Sequence, residues 1–166
     1  MRLTTKGRYA VMAMLDLAIH DHGQPTPLAD IAERQSLSLS YLEQLFARLR
    51  RNQLVGSVRG PGGGYQLARE PAHINMAEII HAVDEEIDVS GCGGRGDCQD
   101  GSRCLPHNLW MGLSAQIQQF LESISLADLV DQPDVLELAA DQDGRLQQVR
   151  GQRDAAAAAG MRGVGS

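Results

Sequence analysis

The chain has 166 residues, 43% of them apolar, and a formal net charge of −6, which suits one domain or a small domain with an extension. No stretch approaches ~18 uninterrupted apolar residues, and Asp16 and His20 break the N-terminal apolar run, so neither a membrane span nor a signal core is expected, and a reducing cytoplasm is. The charge is divided: residues 1–70 hold nine Arg/Lys against six Asp/Glu, a net of +3, and residues 71–166 hold six against fifteen, a net of −9, a polarity that would orient the molecule on a polyanion.

Residues 4–20 predict a first helix. Thr4 or Thr5 can cap it, and Tyr9, Met12, Ala13, Leu17 and Ala18 recur at helical spacing. Gly23, Pro25 and Pro27 end it. A short second helix over 28–34 would bury Leu28, Ile31 and Ala32. A third, over about 39–52, puts Leu42, Leu45, Phe46 and Leu49 on one face and Ser40, Tyr41, Glu43, Gln44, Arg48 and Arg51 on the other. Residues 54–59 and 65–68 read as short strands around Gly60-Pro-Gly-Gly-Gly64, a hairpin by turn chemistry. Two short helices, a third with a polar face and a glycine-rich hairpin spell a winged helix-turn-helix. Its third helix would enter the major groove, and Arg59 would reach phosphate or the minor groove.

Asn75-Met-Ala-Glu78 has the pattern of a capping box and opens a fourth helix to about residue 83. Pro106 suits the first position of a long helix, along which Leu109, Leu113, Ile117, Leu121 and Ile124 form a stripe. Left alone on a small domain that stripe would be exposed, which favours a partner helix in a two-fold dimer. Short helices are expected around Asp128 and over 135–138, and residues 140–166, rich in Gln, Arg, Ala and Gly, read as a disordered tail. The expected fold is therefore mainly α with a small β-hairpin. A winged helix-turn-helix spans 1–83, a loop 84–107, and a long dimerisation helix lies within 106–130.

The loop holds all the cysteines of the chain. Cys92, Cys98 and Cys104 stand six positions apart, and His107 follows three after the last. Glycines and small polar residues lie between them, so the loop cannot order itself by apolar burial, and four soft ligands within sixteen residues point to a metal centre. Three thiolates and an imidazole suit tetrahedral Zn2+ and equally an iron–sulfur cluster. The spacing argues mildly against zinc, since only Cys104 and His107 form a close pair, and wide glycine-rich gaps let one loop wrap a two-iron object. A disulfide with one free thiol is the bland alternative, disfavoured by the odd count and the reducing setting.

Four segments together resemble the IscR-type iron–sulfur cluster regulators, a family of bacterial winged-helix repressors. They are Met1-Arg-Leu-Thr-Thr-Lys-Gly-Arg-Tyr-Ala, Ser40-Tyr-Leu-Glu-Gln-Leu-Phe, Val58-Arg-Gly-Pro-Gly-Gly-Gly-Tyr and the cysteine loop. The resemblance covers about residues 1–130. It implies a homodimer with one [2Fe-2S] cluster per protomer, supplied by the cluster assembly machinery. Cys92, Cys98, Cys104 and His107 fall on the family's ligand positions. Ser40, Tyr41, Glu43 and Gln44 fall on its recognition-helix contacts, Arg59 on its wing, and the helix from Pro106 on its dimerisation helix. The loaded form of such a regulator represses cluster-assembly genes, and the metal-free form binds a second class of sites.

Blander roles compete residue by residue. Ser40 and Glu43 also fit a local capping box, Arg59 could be a plain surface charge, and His107 an ordinary first-turn residue. His20, His22, His73 and His81 lack ligand neighbours in the sequence and read as solvated or structural. For the whole chain the alternative is an iron–sulfur carrier or redox protein that uses the helix-turn-helix for protein contacts. An enzyme is not expected: there is no nucleophile elbow, and Gly60-Pro-Gly-Gly-Gly64 lacks the Lys-Ser/Thr of a phosphate-binding loop.

Overall fold

The computed structural model describes residues 4–161. In chain order it holds helices α1 (Thr5–Ile19), α2 (Leu28–Gln35) and α3 (Leu39–Arg51), strands β1 (Val55–Val58) and β2 (Gly64–Leu67), a single 3-10 turn (Pro71–His73), and helices α4 (Met76–Ala82), α5 (His107–Glu122), α6 (Leu126–Val130) and α7 (Pro133–Met161). The expected order of a helical trio, hairpin, fourth helix and long helix is the one observed.

The apolar face of each front helix meets the others in one core. Ala10, Ala13, Met14 and Leu17 of α1, Ile31 of α2, and Leu42, Leu45, Phe46 and Leu49 of α3 are all buried there. Phe46 is fully enclosed and meets the edge of Tyr65 at 4.9 Å between ring centroids. Burying such a side chain contributes about 1.5–3 kcal/mol. The turn between α2 and α3 passes through Ser36 in the left-handed region, and Leu37 N–H bonds Ala32 O to close the end of α2.

β1 and β2 pair antiparallel, with Val55 opposite Leu67 and Val58 opposite Gly64. Tyr65 also exchanges two backbone hydrogen bonds with Thr26 at 2.9 Å each, which ties the hairpin to the segment before α2. The adjacent Gly64 lies so close to the Thr26 and Pro27 backbone that no Cβ would fit. Asn75 caps α4 with Glu78 in the expected reciprocal arrangement.

Three local expectations change. The side chain that caps α3 is Ser38, accepting from Tyr41 N–H at 3.4 Å, and not Ser40. Two serines compete there, and the one with extended backbone at the helix boundary wins. Pro106 stands just before α5 as its N-terminal boundary residue, one place earlier than expected. The stripe on α5 is also divided. Leu121 and Ile124 pack on the chain's own core, whereas Leu109 is 64% exposed, Phe120 61%, and Trp110, Met111 and Leu113 remain open to solvent.

The larger correction concerns the tail. Residues 140–166 were expected to be disordered, yet α7 continues as helix to Met161; residues 162–166 lie outside the described part. Ala, Gln, Arg and Leu are good helix formers, and polar partners far away in the sequence hold the helix down. Asp143 pairs with His20 Nε2 at 3.0 Å, Gln142 bonds Gln35, and Arg150 and Arg153 pair with Asp30 and Glu33 of α2. Composition read along the chain carries no sign of those long-range partners. The expected short helix at 135–138 is simply the start of α7.

Beneath these contacts lies a buried ion network. Asp16 is 2% exposed and takes a forked pair of bonds from Arg34 and one from Gln35. Burial pushes its carboxyl up, but hydrogen bonds from His20, Arg34 and Gln35 outweigh that and hold it at about 2. The Asp16 hydrogen bond in turn raises His20 to about 9, so His20 is a structural cation and not a ligand.

Candidate metal centre and nucleic-acid interface

The loop between α4 and α5 contains no helix or strand. Backbone hydrogen bonds between Gln99 and Ser102, at 2.9 and 2.8 Å, fold its far end back on itself. His107 N–H bonds Cys104 O at 3.1 Å, joining the loop to the start of α5. The entrance is held by Asp88. Its carboxylate accepts from Ser90 N–H (2.8 Å), the Ser90 hydroxyl (2.9 Å) and Gly93 N–H (3.0 Å). Those bonds, the one from Ser90 N–H first, keep its carboxyl below the usual carboxylate range. Gly93 and Gly94 both take left-handed φ, a turn that aims their N–H groups back at Asp88 and Ser90.

This folding brings three of the four predicted ligands to one point. Cys92 Sγ, Cys98 Sγ and a His107 ring nitrogen lie within 4.8 Å of one another. His107 Nδ1 is 3.8 Å from Cys92 Sγ and 3.5 Å from Cys98 Sγ. Around one tetrahedral metal, with metal–sulfur ~2.3 Å and metal–nitrogen ~2.0–2.1 Å, a sulfur and a nitrogen ligand stand roughly 3.6 Å apart. The donors are therefore already at ligand spacing, and their chemistry fits a thiophilic metal or an iron–sulfur centre. Cys104 joins at one remove: its Sγ is 3.0 Å from Cys98 Sγ, and Cys98 Sγ also accepts from Cys104 N–H. No disulfide joins the three cysteines.

The three thiols are not equivalent. The Ser90 hydroxyl and backbone N–H groups of Gly96 and Gly94 bring Cys92 down to about 7. Cys104 is pushed up, chiefly by its hydrogen bond with Cys98. Cys92 and His107 are buried and the other two cysteines half-buried. A thiolate is therefore more available at Cys92, the predicted ligand nearest the loop entrance, than at Cys104.

On the DNA-binding side, Ser40, Glu43 and Gln44 stand exposed in the first turns of α3, and Arg59 is exposed just after β1. Tyr41 is half-buried, with its ring edge-on to Tyr9 at 6.0 Å. Ser38 already caps the helix, so the capping box drawn from Ser40 and Glu43 does not form, and Glu43 makes no side-chain hydrogen bond among the described residues. Arg48 was expected on the open polar face. Its guanidinium instead bonds Val83 O at 3.2 Å and Asp84 Oδ2 at 2.6 Å, tying α3 to the root of the cysteine loop. Sequence reasoning missed this tie because neither the 3.6-residue period of α3 nor local charge spacing reports a partner 36 positions away. It also missed Ser114, seven residues after His107. A lone serine among apolar neighbours, two turns from a predicted ligand, was the available signal.

Known proteins share this architecture. The family described as iron-dependent transcriptional regulator, Rrf2, matches residues 3–132. The HTH-type transcriptional regulator IscR of Photorhabdus laumondii is 61% identical over 143 residues, covering 86% of this chain and 87% of that protein. Among solved structures, T. potens IscR is 42% identical at a TM-score of 0.64, covering 78% of this chain and 86% of that one. CymR, the global cysteine regulator of B. subtilis, is 34% identical at a TM-score of 0.66, covering 78% and 96%. These relatives are regulators and not enzymes, and no helix among the described residues is long and apolar enough to cross a membrane. The chain belongs to the Rrf2 family of iron-dependent transcriptional regulators, a winged-helix protein with a Cys/His group able to hold a metal beside its DNA-binding unit.

Proposed function

We propose that this regulator reads cellular iron–sulfur status through a [2Fe-2S] cluster of its own, one per protomer. Cys92, Cys98, Cys104 and His107 would hold it. The observation that carries this reading is the convergence of Cys92, Cys98 and His107 at ligand spacing, with Cys104 against Cys98. When bound, the cluster would supply a rigid cross-link between the loop and α5, one that is lost when iron or sulfide runs short. His107 is the first residue of α5, so ligation fixes that helix end, and the Arg48–Asp84 tie joins the loop root to α3.

The open face of α5, with Leu109, Trp110, Met111, Leu113 and Phe120, is covered in this reading by the same helix of a second protomer. Two copies then present two recognition helices to operator DNA, as helix-turn-helix dimers do. Ser40, Tyr41 and Gln44 meet base edges, and Glu43 excludes sites that offer it only acceptors. Arg59 contacts phosphate or the minor groove and adds affinity more than sequence choice. The loaded dimer represses cluster-assembly genes in the cytoplasm, and the assembly machinery is the cluster donor. The alternative, a carrier using the fold for protein contacts, gives no account of a polar recognition helix in a chain whose relatives regulate transcription.

The test is protein purified without air, with visible absorption recorded and iron, acid-labile sulfide and zinc counted per chain. Two irons and two sulfides per chain are expected. Stoichiometric zinc without labile sulfide would contradict the proposal.

A further inference from the structure

Two buried polar groups near the metal centre are neither ligands nor part of the DNA-binding unit. Ser114 is 8% exposed and Ser90 9%. Ser114 lies on α5 two turns after His107, and residues seven apart share a helix face. Its Oγ accepts from Val89 N–H at 3.0 Å, so the loop backbone itself is bonded to α5. The same Oγ stands 3.2 Å from Asp88 Oδ1 and 2.9 Å from Trp110 O, and its one proton serves one of them. Asp88 in turn holds Ser90 and Gly93, on either side of Cys92. The chain is thus pinned before and after Cys92 and fastened to the helix that presents His107. Cys98 and Cys104 are held differently: Gln99 and Ser102 pair between them, Cys104 O accepts from His107 N–H, and Cys98 Sγ meets Cys104 Sγ and His107 Nδ1, with no carboxylate bridging the chain on both sides of either cysteine.

We propose that Asp88, Ser90 and Ser114 are positioning residues for the metal centre, holding Cys92 against the His107 face of α5 before any metal arrives. This rests on the reading of Cys92 and His107 as ligands. Cys92 then needs little further ordering when it binds. The Ser90 hydroxyl has a second task. It lies 2.9 Å from Asp88 Oδ2 and 3.5 Å from Cys92 Sγ. A metal-bound Cys92 carries no proton, so it can only accept; the one Ser90 O–H proton can then turn from Asp88 to that sulfur as a further donor, while Ser90 N–H keeps the tie to Asp88. Hydrogen bonds to ligand sulfurs raise the reduction potential of iron–sulfur centres.

The test uses the full-length chain and four variants: Ser114→Ala, Asp88→Asn, Ser90→Ala and Ser90→Thr. Metal-free proteins are compared by hydrogen exchange over residues 88–94. Each is then reconstituted without air from ferrous iron and sulfide, and its half-life against EDTA, visible spectrum and reduction potential are measured. Removing a partner behind a ligand typically costs about 10- to 100-fold in metal affinity. Ser114→Ala and Asp88→Asn should therefore exchange faster over 88–94 and lose the centre about 10-fold sooner. Ser90→Ala should shift the thiolate charge-transfer band to longer wavelength and lower the potential, and Ser90→Thr should restore both. The loop variant Ser90→Ala keeps the test valid if a change on α5 disturbs folding. Wild-type protein that holds the centre while all variants match it in exchange, half-life and potential would overturn this proposal and leave the metal reading intact. Wild-type protein that takes up neither iron nor sulfide would overturn both.

Discussion

The winged-helix unit and the cysteine loop are built on opposite principles. In the unit, apolar side chains from α1, α2, α3 and α4 enclose one another, and the backbone is satisfied inside helices and the hairpin. In the loop of residues 84–106, the buried side chains are Glu85, Ser90 and Cys92, and polar bonds do the holding. Burial is non-directional and additive over many contacts. A few polar ties are directional, and each contributes only about 0.5–1.5 kcal/mol net. The unit should therefore be stable with or without a bound group, whereas the loop should depend on one. In the proposed reading, that division would let one chain keep its DNA-binding unit folded while the element attached to it changes state.

The largest effect should come from removing a ligand. Cys92→Ala, Cys98→Ala or Cys104→Ala should abolish the visible bands of anaerobic protein altogether, while the far-ultraviolet signal and unfolding midpoint of the metal-free chain stay within a few degrees of wild type. A ligand variant that unfolds the winged-helix unit would break the contrast.

The converse change is Phe46→Ala. Phe46 is fully enclosed between α3 and Tyr65, and truncating a buried Phe costs about 3–5 kcal/mol. Denaturant unfolding of the metal-free protein should register that loss. A loss under 1 kcal/mol would mean that the core does not hold the unit together as described.

A smaller effect is expected at Glu43. Ser38, not Ser40, caps α3, so Glu43→Ala should leave unfolding unchanged. An unpaired carboxylate facing an acceptor edge costs on the order of 1–3 kcal/mol. Its removal should let metal-free protein bind sites that otherwise require the loaded form. Titration of the metal-free variant against both site classes at fixed salt decides this. Unchanged discrimination would leave Glu43 without a role in site choice.

The smallest effect is on α7, held mainly by charges. His20 is raised to about 9 from its ordinary 6.5 by Asp16, with Asp143 as its outer partner. A raised cation stabilises fully below its unfolded value, and the contribution fades as pH rises through the folded one. Stability should therefore decline between about pH 6.5 and 9 in wild type, and His20→Gln should flatten that decline. Asp16, lowered to about 2, works in the other direction and matters only in acid. A flat profile in wild type would exclude His20 as the anchor.

The two regions were also legible in the sequence to different degrees. Leu42, Leu45, Phe46 and Leu49 announce a helix face by period alone, because burial imposes that period. The loop announced its candidate ligands by residue type, since few other chemistries gather Cys92, Cys98, Cys104 and His107. Its fastening was silent: Asp88 and Ser114 lie 26 positions apart and act through single hydrogen bonds with no period. The α7 helix was hidden for the same reason, its partners Asp30, Glu33 and His20 lying more than a hundred residues back. At α3 the choice between Ser38 and Ser40 turned on one residue's backbone angle.

The central claim is that the state of the cysteine loop sets what the DNA reader binds. The most direct measurement is the affinity of full-length protein, loaded without air and then stripped by chelator, for promoter DNA of cluster-assembly genes at one fixed salt concentration. The loaded form should bind at least about tenfold more tightly, a difference of 1.4 kcal/mol, and restoring iron and sulfide should restore the affinity. Equal affinities for the loaded and stripped forms, with both fully folded, would contradict the account.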